Sequence, residues 1–210
     1  LDIKAELGRQ SRHDLVGRPW TFRPVIFRDP QEHPFLWAED ALSMPSAVIK
    51  RWAARHGQEQ AFTRADLALR EPLLSLRVAS GERDPLLDTF AKAGARAGDL
   101  PSNILLPASA GEAIFTSSAF AEGRIAVQGS AAIAAGELVQ AQAGERILDL
   151  CAAPGGKSLL LAGTGAHVTA CDKSPRRFAG MAREIERLQP AGSVSAVASN
   201  STQGLDPMAT

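Results

Sequence analysis

Residues 146–158 read R-I-L-D-L-C-A-A-P-G-G-K-S, and the prediction of the fold begins from them. Ile147 to Leu150 form a short apolar run of the kind found in strands, and Cys151 to Gly156 are small residues typical of a tight turn. The apolar segment Leu159 to Ala162 then predicts a helix. Strand, loop and helix in this order indicate a binding loop at the edge of a parallel sheet, because paired glycines let the backbone approach a ligand.

The loop differs by one residue from a phosphate-binding P-loop. Residues 151–158 read C-x-x-x-x-G-K-S, whereas a P-loop has glycine at the first position. Cys151 replaces that glycine, and Pro154 lacks the N–H group that a P-loop would offer to phosphates. Both residues favour a ligand without a triphosphate, and a P-loop nucleotide-binding protein is the weaker alternative.

A second strand-like run, His167 to Cys171, ends in Asp172, roughly 20 residues after the first strand. An acidic side chain at this distance can accept hydrogen bonds from ribose hydroxyls. Asp172 also suits a turn before the next helix, which Ser174 and Pro175 begin as N-cap and first helical residue. The pattern favours an adenosine-bearing ligand, and both roles of Asp172 stay open.

The segment D-L-C-A-A-P-G-G-K-S at 149–158 resembles motif I of the Sun/Fmu (RsmB-like) family of S-adenosylmethionine-dependent RNA cytosine-5 methyltransferases. Two upstream segments, P-L-L-S-L-R-V at 72–78 and F-A-E-G-R-I-A-V-Q at 120–128, resemble those that precede this motif in the family. The resemblance covers roughly residues 44–210. It implies an α/β fold, the N-terminal part of a class I (Rossmann-like) methyltransferase domain preceded by a small α+β domain similar to an RNA-recognition fold.

The resemblance further implies S-adenosylmethionine as the cofactor and RNA, with ribosomal RNA favoured, as the substrate. The loop residues that would hold the methionine part of the cofactor are Cys151, Ala152, Ala153, Pro154, Gly155, Gly156 and Lys157. Asp172 would bind the ribose hydroxyls. Asn200 stands where the family usually has an aspartate near the adenine, and its amide could keep that contact in altered form. Gly129 is a second departure, since the family usually has an acid there.

The cysteines of this chain do not match the family's catalytic motifs. A thiolate must add to C6 of cytosine before C5 becomes nucleophilic, and the family supplies that cysteine, and a second one for release, well beyond the third strand. Cys151 belongs to the predicted cofactor loop, and Cys171 lies in a strand-like run. We therefore assign no catalytic residue and expect an inactive methyltransferase fragment, truncated after the third strand. A cofactor-binding or RNA-interacting remnant without catalysis is the alternative.

Three regions are predicted along the chain. Residues 1–43 mix basic residues with prolines and indicate a linker or arm, residues 44–128 the small α+β domain, and residues 129–210 the Rossmann-like domain. In the last region a helix follows Asp172, and one of its faces is predicted to be a charged, solvated surface. That face carries Arg176, Arg177, Arg183 and Arg187.

The composition fits a soluble cytoplasmic protein. Lys and Arg together number 23, as do Asp and Glu, so any contact with RNA must rest on local patches. Two cysteines favour thiols in a reducing compartment. Apolar runs are too short to span a bilayer and the N-terminus lacks a signal-peptide pattern, so we expect no membrane association. We also expect the full-length parent to be a monomer.

Overall fold

The computed structural model describes residues 2–198, apart from the side chains of Pro175, Phe178 and Ala179. The chain divides into two compact units, Leu1–Pro72 and Leu73–Thr210. Each unit has apolar cores of its own.

In the first unit, helices and a short antiparallel hairpin surround one apolar core. Its elements are α1 (Ile3–Leu7), β1 (Ser11–His13), β2 (Pro19–Thr21), α2 (Pro34–Ala41), α3 (Ser46–His56) and α4 (Gln58–Leu69). Trp37 is fully buried, and its ring lies edge-on to that of Phe62 with centroids 5.7 Å apart. The indole N–H of Trp37 donates to the carbonyl of Gly8 at 2.6 Å, so the polar end of this large side chain is satisfied.

Residues 1–43 contribute to this core and do not form a separate arm. Phe27 and Trp37 pack in one cluster with Ile49 and Phe62, which lie on the helices expected to begin the next region. Prolines and charges indicate a linker, but the aromatic residues between them bury apolar surface against α3 and α4. The chain divides after Pro72, so the predicted boundary between 43 and 44 does not coincide with a boundary between compact units.

The second unit begins with an antiparallel sheet in the order β4-β5-β3-β6. The strands are β3 (Leu74–Val78), β4 (Arg96–Ala97), β5 (Asn103–Leu106) and β6 (Ile125–Val127), and the connecting helices are α5 (Arg83–Thr89), α6 (Gly111–Phe115) and α7 (Ser118–Ala121). Leu76, Ile104 and Ile125 are fully buried on one core with Leu86 of α5.

A parallel sheet, ordered β7-β8-β9, completes the second unit. Its elements are α8 (Ser130–Glu137), β7 (Arg146–Asp149), α9 (Gly156–Gly163), β8 (His167–Asp172), α10 (Pro175–Leu188) and β9 (Ser193–Ala198). The predicted β-α-β-α-β series is therefore confirmed. Ile133, Leu160 and Val168 form its core, and β7 pairs with β8 alone among the described strands. No described helix, including α10 with its 14 residues, is long and apolar enough to cross a membrane.

Arg187 corrects the prediction that the arginines of α10 face solvent. Its side chain is 14% exposed, and its Nη1 donates to the carbonyls of Phe120 and Ile125 at 2.7 and 2.9 Å. The guanidinium also lies 4.0 Å from the centroid of the Phe120 ring and pairs with Glu184. Helical spacing could not show this, because the turn between α7 and β6 that covers this face is distant in sequence. Of the same four arginines, Arg176, Arg177 and Arg183 are exposed.

Candidate functional site

The candidate site lies at the edge of the parallel sheet where β7 and β8 end. Asp149 pairs with Ala170 and Asp172 pairs with Ala198, so both strands run in register toward this edge. Residues 150–155, which follow β7, and Asp172, which ends β8, are therefore neighbours along it. In open parallel sheets this is the edge at which ligands bind.

Asp149 fixes the loop that follows β7. Its Oδ1 accepts a hydrogen bond from the N–H of Cys151 at 3.2 Å, and its Oδ2 accepts one from the hydroxyl of the fully buried Ser158 at 2.8 Å. The N–H of Ala152 donates to the carbonyl of Cys171 at 2.9 Å and ties the loop to β8. The sequence analysis did not single out Asp149. The available signal was a carboxylate ending a strand, followed by a serine at the start of the next helix.

Gly155 lets the chain turn from this loop into α9. Its φ is +107°, and a Cβ here would lie 2.9 Å from both Cγ and Cε of the fully buried Met181. Glycine tolerates this conformation and this close approach, whereas other residues would be strained. The first-turn N–H groups of α9, beginning at Gly156, have no acceptor within the helix and give this end a partial positive charge. Such an end can bind a carboxylate or another anion.

The predicted loop residues differ in how far they are buried. Ala152 and Gly155 are buried, whereas Cys151, Pro154 and Lys157 are exposed. Ala153 and Gly156 lie between these extremes, and the bond from Ala153 to Pro154 is cis. Asn200, the residue expected near the adenine, lies outside the described residues.

Asp172 holds the turn before α10, as its position in the sequence allowed, and one of its two carboxylate oxygens remains available to a ligand. The residue is 5% exposed, and its Oδ1 accepts a hydrogen bond from the N–H of Ser174 at 3.0 Å. Its Oδ2 lies 3.9 Å from Nη1 of Arg177, beyond hydrogen-bonding distance. Since an ionised carboxylate has two acceptor oxygens, the turn does not prevent Oδ2 from accepting a hydroxyl.

The two cysteines differ in their surroundings. Cys151 is exposed, and Cys171 is fully buried in β8. Burial, followed by the negative charge of Asp149, raises the pKa of the Cys171 thiol. Cys171 is therefore a small buried hydrophobe, because a buried, protonated thiol is neither accessible nor nucleophilic.

One segment of this chain is similar to sequences of known proteins. Residues 137–203 match the family described as 16S rRNA methyltransferase RsmB/F. Over 72 residues the chain is 43% identical to ribosomal RNA small subunit methyltransferase B of Serratia proteamaculans (strain 568). It is equally identical over the same length to the protein of that name from Yersinia pseudotuberculosis serotype O:1b (strain IP 31758). Each match covers 33% of this chain and 17% of the relative, so it spans a small part of those proteins.

Solved structures are similar in fold over a larger part of this chain than the sequence matches cover. The crystal structure of PH0851 is 25% identical with a TM-score of 0.69, and the match covers 80% of this chain and 39% of that one. A methyltransferase homolog protein from Pyrococcus horikoshii is 24% identical with a TM-score of 0.65, covering 80% and 57%. NSun6 from Pyrococcus horikoshii with SFG is 17% identical with a TM-score of 0.63, covering 76% and 66%. The predicted α/β, Rossmann-like methyltransferase fold is confirmed, and the P-loop alternative is not favoured.

Proposed function

We propose, from the match of residues 137–203 to the RsmB/F methyltransferase family, that this chain carries the cofactor-binding part of an S-adenosylmethionine-dependent RNA cytosine-5 methyltransferase. One observation carries the proposal. Asp149 and Met181 hold a glycine loop at the same sheet edge as the free carboxylate oxygen of Asp172. Relatives named as ribosomal RNA small subunit methyltransferases support ribosomal RNA as the substrate.

The residues of this edge fit the parts of S-adenosylmethionine. The cofactor's carboxylate suits the free N–H groups at the start of α9. Oδ2 of Asp172 suits a ribose hydroxyl. When bound, the cofactor supplies a methyl group on a sulfonium. We assign its methionine part to the loop from Cys151 to Lys157, and the role of Asn200 near the adenine stays a prediction.

The remaining expectations become parts of the same proposal. Of the region expected at 44–128, residues 73–128 lie in the second unit and would form the α+β domain that accompanies the methyltransferase domain. The full-length protein would be a cytoplasmic monomer that binds ribosomal RNA. We assign no catalytic residue among residues 2–198. Cys171 is buried, and the backbone of Cys151 is engaged in the loop.

Calorimetry on the 210-residue chain tests the ligand. We expect S-adenosylmethionine and its demethylated product to bind, and ATP with magnesium not to bind. Asp172→Ala should weaken cofactor binding by about 10- to 100-fold, because it removes charge-assisted hydrogen bonds. Asp172→Asn keeps an acceptor for the N–H of Ser174 and separates loss of the ribose contact from misfolding. Asp88→Ala, an exposed carboxylate on α5, is the matched control and should leave the affinity unchanged. Tight ATP binding would overturn the proposal.

A non-catalytic remnant is the second candidate, favoured by the absence of an assignable nucleophile among the described residues. Transfer of radiolabelled methyl groups to unmodified ribosomal RNA separates the two. We expect none from this chain and transfer from a longer protein that supplies the cysteine motifs. Methyl transfer by the chain itself would show that its nucleophile has been misplaced.

A further inference from the structure

A pocket with a volume of about 240 Å³ lies within the second unit, beside the loop that follows β7, since Pro154 and Gly156 are among its lining residues. The antiparallel sheet, α7, α9 and α10 surround it, and its walls are largely apolar. Its lining includes Phe115, Phe120, Val127, Leu159 and Leu188. Two buried polar side chains, Arg77 and Gln128, also line it, and the proposed function uses neither.

Arg77 is a buried cation, and among the described residues no carboxylate pairs with it. It is 5% exposed, and its Nε donates to Oε1 of Gln128 at 2.8 Å. It forms no ion pair with any residue from 2 to 198. Burial, followed by the positive charge of Arg187, lowers the pKa of Arg77 to about 10, while Glu137 acts in the opposite direction. The group thus remains charged at neutral pH, and an unpaired charge in such a site is unfavourable.

Gln128 presents unused donors to the same pocket. The residue is 7% exposed. Because a guanidinium has only donors, Oε1 must face Arg77, and Nε2 must point the other way. Nε2 is buried and has no hydrogen-bond partner among the described residues. A Cβ on Gly156 would lie 3.6 Å from Nε2, so the glycine leaves space beside this amide.

We propose that this pocket binds a phosphate-class oxyanion, with the guanidinium of Arg77 and the amide N–H groups of Gln128 as donors. An anion would neutralise the buried charge and satisfy the amide at the same time, which a neutral carbonyl would not. Glu184 also lines the pocket, but its two oxygens accept from Nε and Nη2 of Arg187 at 3.2 and 2.6 Å. Its charge is therefore compensated locally, and the apolar walls strengthen the remaining attraction.

The oxyanion has two possible sources, a free phosphate or a phosphate of an RNA chain. The second source rests on the proposed function, since it requires that the protein bind RNA. Both present the same tetrahedral group with several acceptor oxygens. The site itself can therefore be tested with inorganic phosphate, and the source with RNA.

The test measures binding of inorganic phosphate to the 210-residue chain by calorimetry in a phosphate-free buffer, with sodium chloride of equal ionic strength as reference. Arg77→Met should weaken phosphate binding at least about tenfold, since it removes the charged donor. Gln128→Glu should abolish binding and keep or raise the melting temperature without phosphate, because a carboxylate at this position would pair with Arg77. Arg96→Met removes an exposed charge from β4 of the same sheet and should change the affinity less than about twofold.

Two outcomes would overturn the site. One is phosphate binding no stronger than that of chloride, and the other is equal weakening by Arg77→Met and Arg96→Met. If Arg77→Met does not fold, Gln128→Glu still tests the site, because we expect the Gln128→Glu protein to be at least as stable as the parent. Competition between phosphate and a short single-stranded RNA would identify RNA as the source, and RNA binding indifferent to phosphate would identify a free anion. Binding of S-adenosylmethionine, measured alongside, reports separately on the proposed function and should be unaffected by Arg77→Met.

Discussion

The carboxylate of Asp149 accepts the hydroxyl hydrogen of Ser158 at 2.8 Å and so joins the end of β7 to the first turn of α9 across the binding loop. Ser158 is fully buried, and the other carboxylate oxygen holds the N–H of Cys151. The side chain that sets the loop geometry therefore lies beneath the surface that the cofactor would touch. Residues of this kind position a site without contacting its ligand.

Ser158→Ala tests this positioning role. We expect a loss of about 1–2 kcal/mol in the free energy of unfolding, because a part-buried carboxylate oxygen loses its donor. The affinity for S-adenosylmethionine should also fall several-fold. Thr164→Ala is the matched control, since it removes a hydroxyl hydrogen bond of 2.8 Å to the carbonyl of Leu161 at the opposite end of α9. Urea unfolding and calorimetry should show lower stability for both variants and weaker binding for Ser158→Ala alone; equal binding would contradict the role.

Gly155→Ala should destabilise the protein by about 1–3 kcal/mol. The new Cβ would adopt a left-handed conformation and lie against Cγ and Cε of Met181. Gly163→Ala at the end of the same helix is the control, because a Cβ there meets nothing within 4 Å and alanine favours helices. Chemical unfolding of both variants measures the difference. A Gly155→Ala protein as stable as the parent would show that the loop does not need glycine.

Thiol labelling distinguishes the two cysteines. We expect one thiol, that of Cys151, to react with an alkylating reagent in the folded protein, and both to react in denaturant, because Cys171 is fully buried. Cys151→Ala should abolish native-state labelling and change the affinity for S-adenosylmethionine less than about threefold, since the loop uses this residue mainly through its backbone N–H. Loss of cofactor binding in a folded Cys151→Ala protein would contradict this interpretation. Mass spectrometry of the labelled protein gives the count.

His13 makes the stability of the first unit depend on pH. Its Nδ1 lies 2.6 Å from Oδ1 of Asp66 and its Nε2 lies 2.9 Å from Oε1 of Glu6, and Asp66 also pairs with Arg70. Burial alone would lower the pKa of His13, but the hydrogen bonds to Asp66 and Glu6 outweigh it, and the pKa is raised. Protonation is thus favoured in the folded state. The stabilisation is complete below the ordinary histidine pKa of about 6.5 and is lost as the pH rises through the raised value.

Tryptophan fluorescence can follow this effect in isolation, because the three tryptophans of the chain, Trp20, Trp37 and Trp52, lie in the first unit. We expect the urea midpoint reported by this signal to fall as the pH rises above about 6.5. His13→Gln should remove most of that slope, whereas His56→Gln, at an exposed histidine of α3, should preserve it. An unchanged slope in His13→Gln would contradict the assignment.

Local patterns predicted the parallel half of the fold well. The alternation of apolar strands with amphipathic helices, the glycines after β7 and the Ser174-Pro175 pair are signals that act over a few residues. They located the binding loop and Asp172 at one edge without tertiary information. The weaker results concern residues 1–43, where a short element such as α1 carries little periodicity and becomes stable by packing in one cluster with residues of α3 and α4.

Contacts between distant segments could not be read from the sequence. Arg187 looks like one more charge on a solvated helix until the turn before β6 is placed against it. Arg77 and Gln128 lie 51 residues apart, on β3 and just after β6, and only the pairing of these strands brings them together. The role of Asp149 was missed for a related reason. It depends on Ser158, whose hydroxyl reaches the Asp149 carboxylate only when the loop has folded.

The contact of Gly123 with Arg187 restricts how such a chain can change over generations. Gly123 has a φ of +72°, and a Cβ at this position would collide with the backbone carbonyl of Arg187. The side chain of Arg187 meanwhile donates to the carbonyls of Phe120 and Ile125 on either side of that glycine. A side chain at position 123 would therefore require α10 to move, and a shift of α10 would strip two carbonyls of their donor. No substitution at position 187 relieves that collision, because the carbonyl belongs to the backbone, so position 123 is restricted to glycine by a residue from which 63 residues of chain separate it.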